Sequence, residues 1–120
     1  MTKISDAEWK IMNLLWDNQP KTMTQLTKAL LESTGWSKYT VMTYLKRMEE
    51  KKLIYHTEGQ KAKQYYARLE RKEAVQQEKT NFLNKVFRGN TGLMISTMLE
   101  NNELSDEELQ QLTELLQKKR

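Results

Sequence analysis

Three helix starts in succession, each marked by a capping residue and followed by a change of period at Leu53, constrain the fold of this chain more than any other feature. Ser5-Asp6-Ala7-Glu8 reads as a capping box, in which the Ser5 hydroxyl accepts from the backbone N–H of Glu8 while the Glu8 carboxylate reaches back. Ile4 and Trp9 stand at the positions of a hydrophobic staple. Ala7, Ile11, Leu14 and Leu15 recur at helical spacing up to Asp17, and Asn18-Gln19-Pro20 stops the helix. A short extended piece from Lys21 to Met23 leads to Thr24, the expected N-cap of a second helix that carries Leu26, Ala29 and Leu30 on one face and has Gly35 just past its end. Ser37 is the expected N-cap of a third helix running to about Lys52, with Val41, Leu45 and Met48 as its buried stripe.

From Leu53 the pattern becomes extended. Leu53-Ile54-Tyr55-His56-Thr57 and Gln64-Tyr65-Tyr66-Ala67-Arg68-Leu69 are rich in β-branched and aromatic residues, and the basic, Gly-containing segment between them predicts a β-hairpin whose tip carries Lys61 and Lys63. Three helices followed by a hairpin is the order of a winged helix-turn-helix, in which the third helix enters the DNA major groove and the hairpin forms the wing.

Charge follows the same division. Residues 1–69 hold twelve basic and seven acidic side chains, net +5, whereas residues 70–120 hold eight and nine, net −1. A positive field confined to the N-terminal half suits a polyanionic partner there and not in the remainder. The chain has no Cys, which excludes a disulfide scaffold, thiol catalysis and Cys-ligated metals. No stretch approaches the roughly 18 apolar residues of a membrane helix, and no apolar signal core opens the chain, so a cytoplasmic protein without membrane contact is expected.

Beyond the hairpin, Glu70 to Thr80 is polar and reads as an exposed helix. Apolar residues then return: Phe82, Leu83, Val86 and Phe87 before Gly89, and Leu93, Met94, Ile95, Met98 and Leu99 before Asn101-Asn102. Leu109, Leu112, Leu115 and Leu116 lie in a last helix that opens on a second capping box, Ser105 to Glu108, with Leu104 and Leu109 as its staple. Three short helices cannot hide this much apolar surface, and a second copy would cover the excess. The expected organisation is therefore mainly α with a small β-hairpin: a winged-helix DNA-binding domain over 1–70 and a helical dimerisation domain over 71–120. Phe82, Val86, Met94, Met98, Leu109, Leu112, Leu115 and Leu116 are the expected dimer contacts.

On the third helix, a step of about 100° per residue gathers Val41, Leu45 and Met48 on one side and places Tyr39, Thr43, Lys46 and Arg47 opposite, with Thr40 beside them. Thr can meet base edges or a thymine methyl group, Arg grips guanine or phosphate bidentately, Lys neutralises phosphate, and Tyr offers a hydroxyl and a flat face. Ser37 and Lys38 sit where backbone N–H groups favour phosphate. A polar helix face is ordinarily just a solvated one. Here the helix is third in a winged-helix order, precedes a basic hairpin and has no carboxylate between Ser37 and Met48. Ser37, Lys38, Tyr39, Thr40, Thr43, Lys46, Arg47, Lys61 and Lys63 are therefore the candidate DNA contacts.

Other residues read as structural. His56, the sole His, has no Cys or carboxylate pair near it in sequence; Met94 and Met98 read as packing, and Trp9, Trp16 and Trp36 as core or helix-junction anchors. No phosphate loop, nucleophile elbow or metal-ligand cluster occurs, so neither a cofactor nor a metal nor an enzymatic activity is expected.

These segments resemble the BlaI/MecI/CopY penicillinase-repressor family of transcriptional regulators. Ile4-Ser5-Asp6-Ala7-Glu8 is similar to that family's opening, and Trp36-Ser37 with Thr40, Thr43, Leu45 and Arg47 to its turn and recognition helix. Phe82-Leu83-Asn84, Leu99-Glu100-Asn101, Leu104-Ser105 and Glu107-Glu108 resemble its dimerisation region. The resemblance implies a homodimeric repressor on a dyad operator in double-stranded DNA, controlling antibiotic-resistance or cell-envelope genes, with Ser37, Thr40, Thr43 and Arg47 at DNA-facing positions. The chain departs from the family at Lys38, Tyr39, Tyr44 and Lys46, which bears on the operator it reads. The resemblance also implies a sensor-linked protease that cleaves an Asn-Phe bond in the dimerisation helices. Aligning on Leu99-Glu100-Asn101 puts Thr97-Met98 at that bond, without the family's signature, while Asn81-Phe82 lies one helix earlier. Copper sensing through C-terminal cysteines, as in CopY-like members, is excluded because the chain has none. The alternative reading is a winged helix that docks a protein instead of DNA, for which Tyr39, Met42 and Tyr44 are the available apolar anchors.

Overall fold

The computed structural model describes residues 3–101 and 103–118, so Asn102 of the expected Asn101-Asn102 stop lies outside the described residues. Among them are six helices and one hairpin: α1 Asp6–Asp17, α2 Met23–Thr34, α3 Lys38–Glu50, β1 Ile54–Glu58, β2 Lys63–Ala67, α4 Arg71–Phe87, α5 Thr91–Glu100 and α6 Asp106–Lys118. The chain divides into two compact units, Met1–Ala74 and Val75–Arg120.

In the first unit both halves of the Ser5 capping box form, Ser5 N–H to Glu8 Oε1 at 2.9 Å and Glu8 N–H to Ser5 Oγ at 3.2 Å. The box leads Glu8 inward, where its carboxylate is buried and meets Lys51 Nζ at 2.7 Å. Burial raises the Glu8 pKa, but hydrogen bonds from Lys51 and Ser5 and the Lys51 charge outweigh it and hold the group below its ordinary value. Met12 is buried beside Ile11 and Leu15, whereas the expected Leu14 is only half-buried.

The N-cap of α2 is Thr22, not Thr24: Thr22 and Gln25 form a capping box, with bonds of 2.8 and 3.1 Å. The reason is tertiary. Lys21 exchanges two backbone hydrogen bonds with Tyr65, at 3.2 and 2.8 Å, and so joins the sheet, leaving Thr22 as the first residue free to turn into the helix. Ala29, expected on the inner face of α2, is exposed. Gly35 closes α2 in the left-handed conformation, φ 69°, where a Cβ would be strained. α3 begins on Ser37 as expected but stops at Glu50, because Lys52 turns to φ 64° and sends the chain into the hairpin.

The strands pair antiparallel from Ile54 opposite Ala67 to Glu58 opposite Lys63. Lys63 is thus a strand residue, and only Lys61 of the two expected tip lysines is in the turn. Gly59 N–H donates to the Ala62 carbonyl at 3.0 Å, and a Cβ on Gly59 would lie only 2.4 Å from that oxygen. Gly59→Ala is expected to open the turn and lower stability by about 1 to 2 kcal/mol, read from a urea midpoint. An unchanged midpoint would show that the turn yields without cost.

Ile4, Ile11, Met12, Leu15, Leu26, Leu30, Val41, Leu45, Met48, Leu53, Ile54, Tyr65 and Ala74 form one contiguous core beneath the three helices and the hairpin. The start of α4 is fastened to it by Trp16 Nε1–H on the Leu69 carbonyl at 2.9 Å, by the 2.7 Å Arg71–Asp17 pair and by the Arg71 guanidinium over Trp16 at 5.5 Å.

The polar stretch and the apolar residues that follow it form one unbroken helix, α4, which begins in the first unit and continues in the second. Gly89, at φ 83°, and the Asn90 side chain, accepting from Leu93 N–H at 2.9 Å, end α4 and start α5. The Ser105 capping box opens α6, with bonds of 3.0 and 3.1 Å, and hydrogen bonding by the Ser105 backbone N–H and hydroxyl holds the Glu108 carboxyl below its ordinary value. From Val75 to Lys118 no described residue is buried.

Candidate nucleic-acid interface

α3 presents one face to solvent because its other face is spent: Val41, Leu45 and Met48 are each at most 1% exposed. Outward lie Lys38, Tyr39, Thr43, Lys46 and Arg47, all exposed, with Tyr39 at 77%. Thr40 is half-buried. Ser37 Oγ accepts from Thr40 N–H at 3.2 Å and lies 3.2 Å from Thr40 Oγ1, so these two side chains first of all hold the helix start. Ahead of them the opening turn of α3 directs backbone N–H groups toward solvent, a local positive pole that Lys38 reinforces.

Two features of this face were not visible in the residue pattern. Arg47 lies with its guanidinium 5.9 Å from the Tyr44 ring, and Tyr44 packs on Trp36 with centroids 4.8 Å apart. Trp36, half-buried beside the core, thus backs a stack that limits the freedom of an exposed Arg. The second feature is a groove between α3 and the hairpin, lined by Met42, Lys46, Glu49, Glu50, His56, Lys63 and Tyr65. Lys46 enters it from the helix and Lys63 from the strand, while Lys61 stays out at the exposed tip.

His56 corrects a sequence expectation. It does have a carboxylate pair beside it, supplied by neighbouring elements: Nδ1 lies 2.8 Å from Glu49 Oε1 on α3, and Nε2 lies 3.7 Å from Glu58 Oε1 on its own strand. The short contact ties the wing to the end of α3. Tyr65, on the facing strand, has its phenol pushed above the ordinary value by burial and by the charges of Glu49 and Glu58, so it stays neutral. Among the described residues no group of three His, Cys, Asp or Glu side chains could hold a metal.

The expected dimer contacts lie on α4 to α6. Phe82, Val86, Met98, Leu109, Leu115 and Leu116 are exposed, between 37% and 66%, and Met94 and Leu112 are half-buried. Thr97 and Met98 sit inside α5, with Thr97 Oγ1 donating to the Leu93 carbonyl at 2.8 Å, so the peptide bond between them is in regular helix. No described helix is long and apolar enough to cross a membrane.

Comparison with known proteins accords with this geometry. The chain is 29% identical to the methicillin resistance regulatory protein MecI of Staphylococcus aureus (strain N315), over 98% of this chain and 95% of that protein. It is 28% identical to the penicillinase repressor of Bacillus licheniformis, over 96% and 90%. The solution structure of the DNA binding domain of the repressor BlaI matches it with a TM-score of 0.53 at 26% identity, covering 61% of this chain and 93% of that one. α1 to α3 with the hairpin form a winged helix, the fold of that DNA binding domain. With residues 4–118 matching the model of the penicillinase repressor family, the chain belongs to that family of DNA-binding transcriptional repressors, not of enzymes.

Proposed function

We propose that the chain is a homodimeric, sequence-specific repressor that binds a dyad operator, with residues up to about 70 as its DNA-binding domain and the remainder as its dimerisation domain. The observation that carries this reading is the outward face of α3, where Lys38, Tyr39, Thr43, Lys46 and Arg47 are all exposed and no carboxylate intervenes before Glu49. Arg47, braced by Tyr44, and Thr43 contact base edges, while Lys38, Lys46, Lys61 and Lys63 and the backbone N–H groups beside Ser37 and Thr40 hold phosphates. Lys46 and Lys63, facing one groove, suit a single backbone strand running between helix and wing.

The dimer is supported by the apolar side chains that α4 to α6 leave in water, which a second copy related by a two-fold axis would cover. Such an axis sets two recognition helices about 34 to 36 Å apart on one DNA face. Repression follows where the operator overlaps a promoter, and ends when the halves separate. The names of the relatives support control of β-lactam-resistance genes. Release by a sensor-linked protease at Thr97-Met98 would require α5 to unwind first, since an extended substrate cannot be helical.

The test is selection of bound duplexes from a random pool, followed by anisotropy titration of the winner and a scrambled control at two salt concentrations. An inverted repeat bound more tightly than the control, and weakened by salt, is expected. Arg47→Ala or Thr43→Ala is expected to cost about 1 to 3 kcal/mol per lost base contact on that operator only, whereas Lys61→Ala weakens all duplexes alike. Equal losses on operator and scrambled DNA for all three variants would remove the base-reading role. Failure to select any sequence would favour the protein-docking alternative.

A further inference from the structure

Tyr39 and Met42 are the two large apolar side chains that α3 leaves in water, 77% and 47% exposed, although neither belongs to the buried stripe of Val41, Leu45 and Met48. They stand three residues apart, hence on adjoining turns of one helix face. Thr43 completes the strip in an unexpected way. Its hydroxyl donates to the Tyr39 carbonyl at 2.9 Å, so its donor is spent within the helix and it offers a partner its methyl group and an oxygen lone pair. The first two turns of the face therefore present a ring, a thioether and a methyl group, and the basic side chains Lys46 and Arg47 follow in the next turn.

The surroundings identify the occupant. Lys38, Lys46 and Arg47 flank the strip on the same helix, Lys63 on the wing lines one groove with Met42 and Lys46, and the only acidic groups of α3, Glu49 and Glu50, stand at the helix end and line that groove too. An apolar strip inside a cationic frame suits a ligand that is polyanionic outside and apolar within reach. Duplex DNA meets that description in its major groove, where the thymine 5-methyl group is the apolar feature. Building on the reading of α3 as the recognition helix, we propose that Tyr39, Met42 and Thr43 are specificity-determining residues that read thymine methyl groups by apolar contact. Lys46 and Arg47 then supply the polar and phosphate contacts, and the operator half-site carries at least one thymine under the N-terminal half of α3.

The first measurement changes the DNA and leaves the protein as it is. Each thymine of the selected operator is replaced in turn by deoxyuridine, which removes the methyl group and leaves every hydrogen-bonding atom in place. Replacement at one or two thymines per half-site is expected to weaken binding roughly three- to fivefold, the equivalent of one buried methyl group. Met42→Ala or Tyr39→Ala should abolish the thymine-over-deoxyuridine preference at one of those positions while leaving the salt dependence of binding unchanged. Both residues are exposed, and circular dichroism checks that the variants fold. Equal affinity for every substituted duplex overturns this proposal alone, as does a preference that survives in both variants. A protein that selects no operator at all overturns the recognition-helix reading together with it.

Discussion

Leu116→Glu is expected to convert the protein in solution from dimer to monomer and to lower operator affinity by about a hundredfold or more. In one chain Leu116 is 66% exposed, so a carboxylate there stays hydrated and the folded monomer loses little, within about 0.5 kcal/mol. In a two-fold interface the same substitution occurs twice, and each charge must leave water without a partner, at several kcal/mol apiece. Leu109, Leu112 and Leu116 follow one another at i, i+3 and i+7, the spacing of a single stripe on α6, so a charge at Leu112 should act alike. The loss of affinity follows from linkage: two half-site readers held together gain about two to four orders of magnitude over either alone. Light scattering gives the mass and anisotropy the affinity. Leu31→Glu on α2, also exposed, is the control that should leave the mass unchanged. A Leu116→Glu protein of undiminished mass would take α6 out of the interface.

The same contrast between one chain and two explains what could be read from residues alone. Caps and periods are local, and they located α1, α3, α6 and both strands to within a few residues. Where a long-range contact competes, local reading slips: Thr24 was a reasonable N-cap until the Lys21–Tyr65 pairing shifted the start of α2 to Thr22. The Thr22-x-x-Gln25 spacing was nevertheless present in the sequence as a signal. The end of α4 was legible at Gly89, just past Phe87, but the polar stretch from Glu70 gave no sign that it runs unbroken into the apolar residues after it, because a helix of which only Ala74 is buried has no stripe to follow.

Helical geometry was enough to tell which face of α3 is exposed, since burying Val41, Leu45 and Met48 leaves only one opposite side. It could not show how side chains are held. The Tyr44 support under Arg47, the turning back of Thr43 and the Glu49–His56 link each depend on rotamers or on residues brought together from different elements. Lys63 was misplaced at the hairpin tip for a simpler reason. The turn is tighter than the run of polar residues suggests, closing through Gly59 and Ala62.

Glu8 is the clearest case of a tertiary role concealed behind a local one, and removal of its partner should have the largest effect on stability. The capping box explains why Glu8 occupies the third position of α1, yet its side chain is 1% exposed and its Oε2 has no hydrogen-bond partner among the described residues. Lys51, the residue that caps α3, supplies the compensating charge at 2.7 Å and also donates to the Lys3 carbonyl at 3.2 Å. Lys51→Met keeps most of the aliphatic stem and removes the ammonium, leaving a buried carboxylate with Ser5 alone. The expected cost near neutral pH is about 3 to 5 kcal/mol by urea unfolding at fixed protein concentration.

The pH dependence gives this its sharper test. In the parent the Glu8 pKa is lowered on folding, so its contribution is complete above the ordinary value of 4.5 and is lost as pH falls through the lower folded value. In Lys51→Met burial acts with little opposition, the folded pKa rises above the ordinary value, and the penalty grows as pH climbs through that range. The two proteins should therefore differ most near pH 7 and converge toward pH 4. Adding Glu8→Gln to Lys51→Met removes the buried charge and keeps a capping acceptor, so it should recover most of the loss. A deficit equal at both pH values, or unrelieved by Glu8→Gln, would mean that Lys51 acts through its bond to the Lys3 carbonyl and not through Glu8. If the deficit behaves as expected, this pair clamps the start of α1 to the end of α3. α3 is then anchored at the end remote from its apolar strip, which under the proposed reading leaves that strip free to enter the major groove.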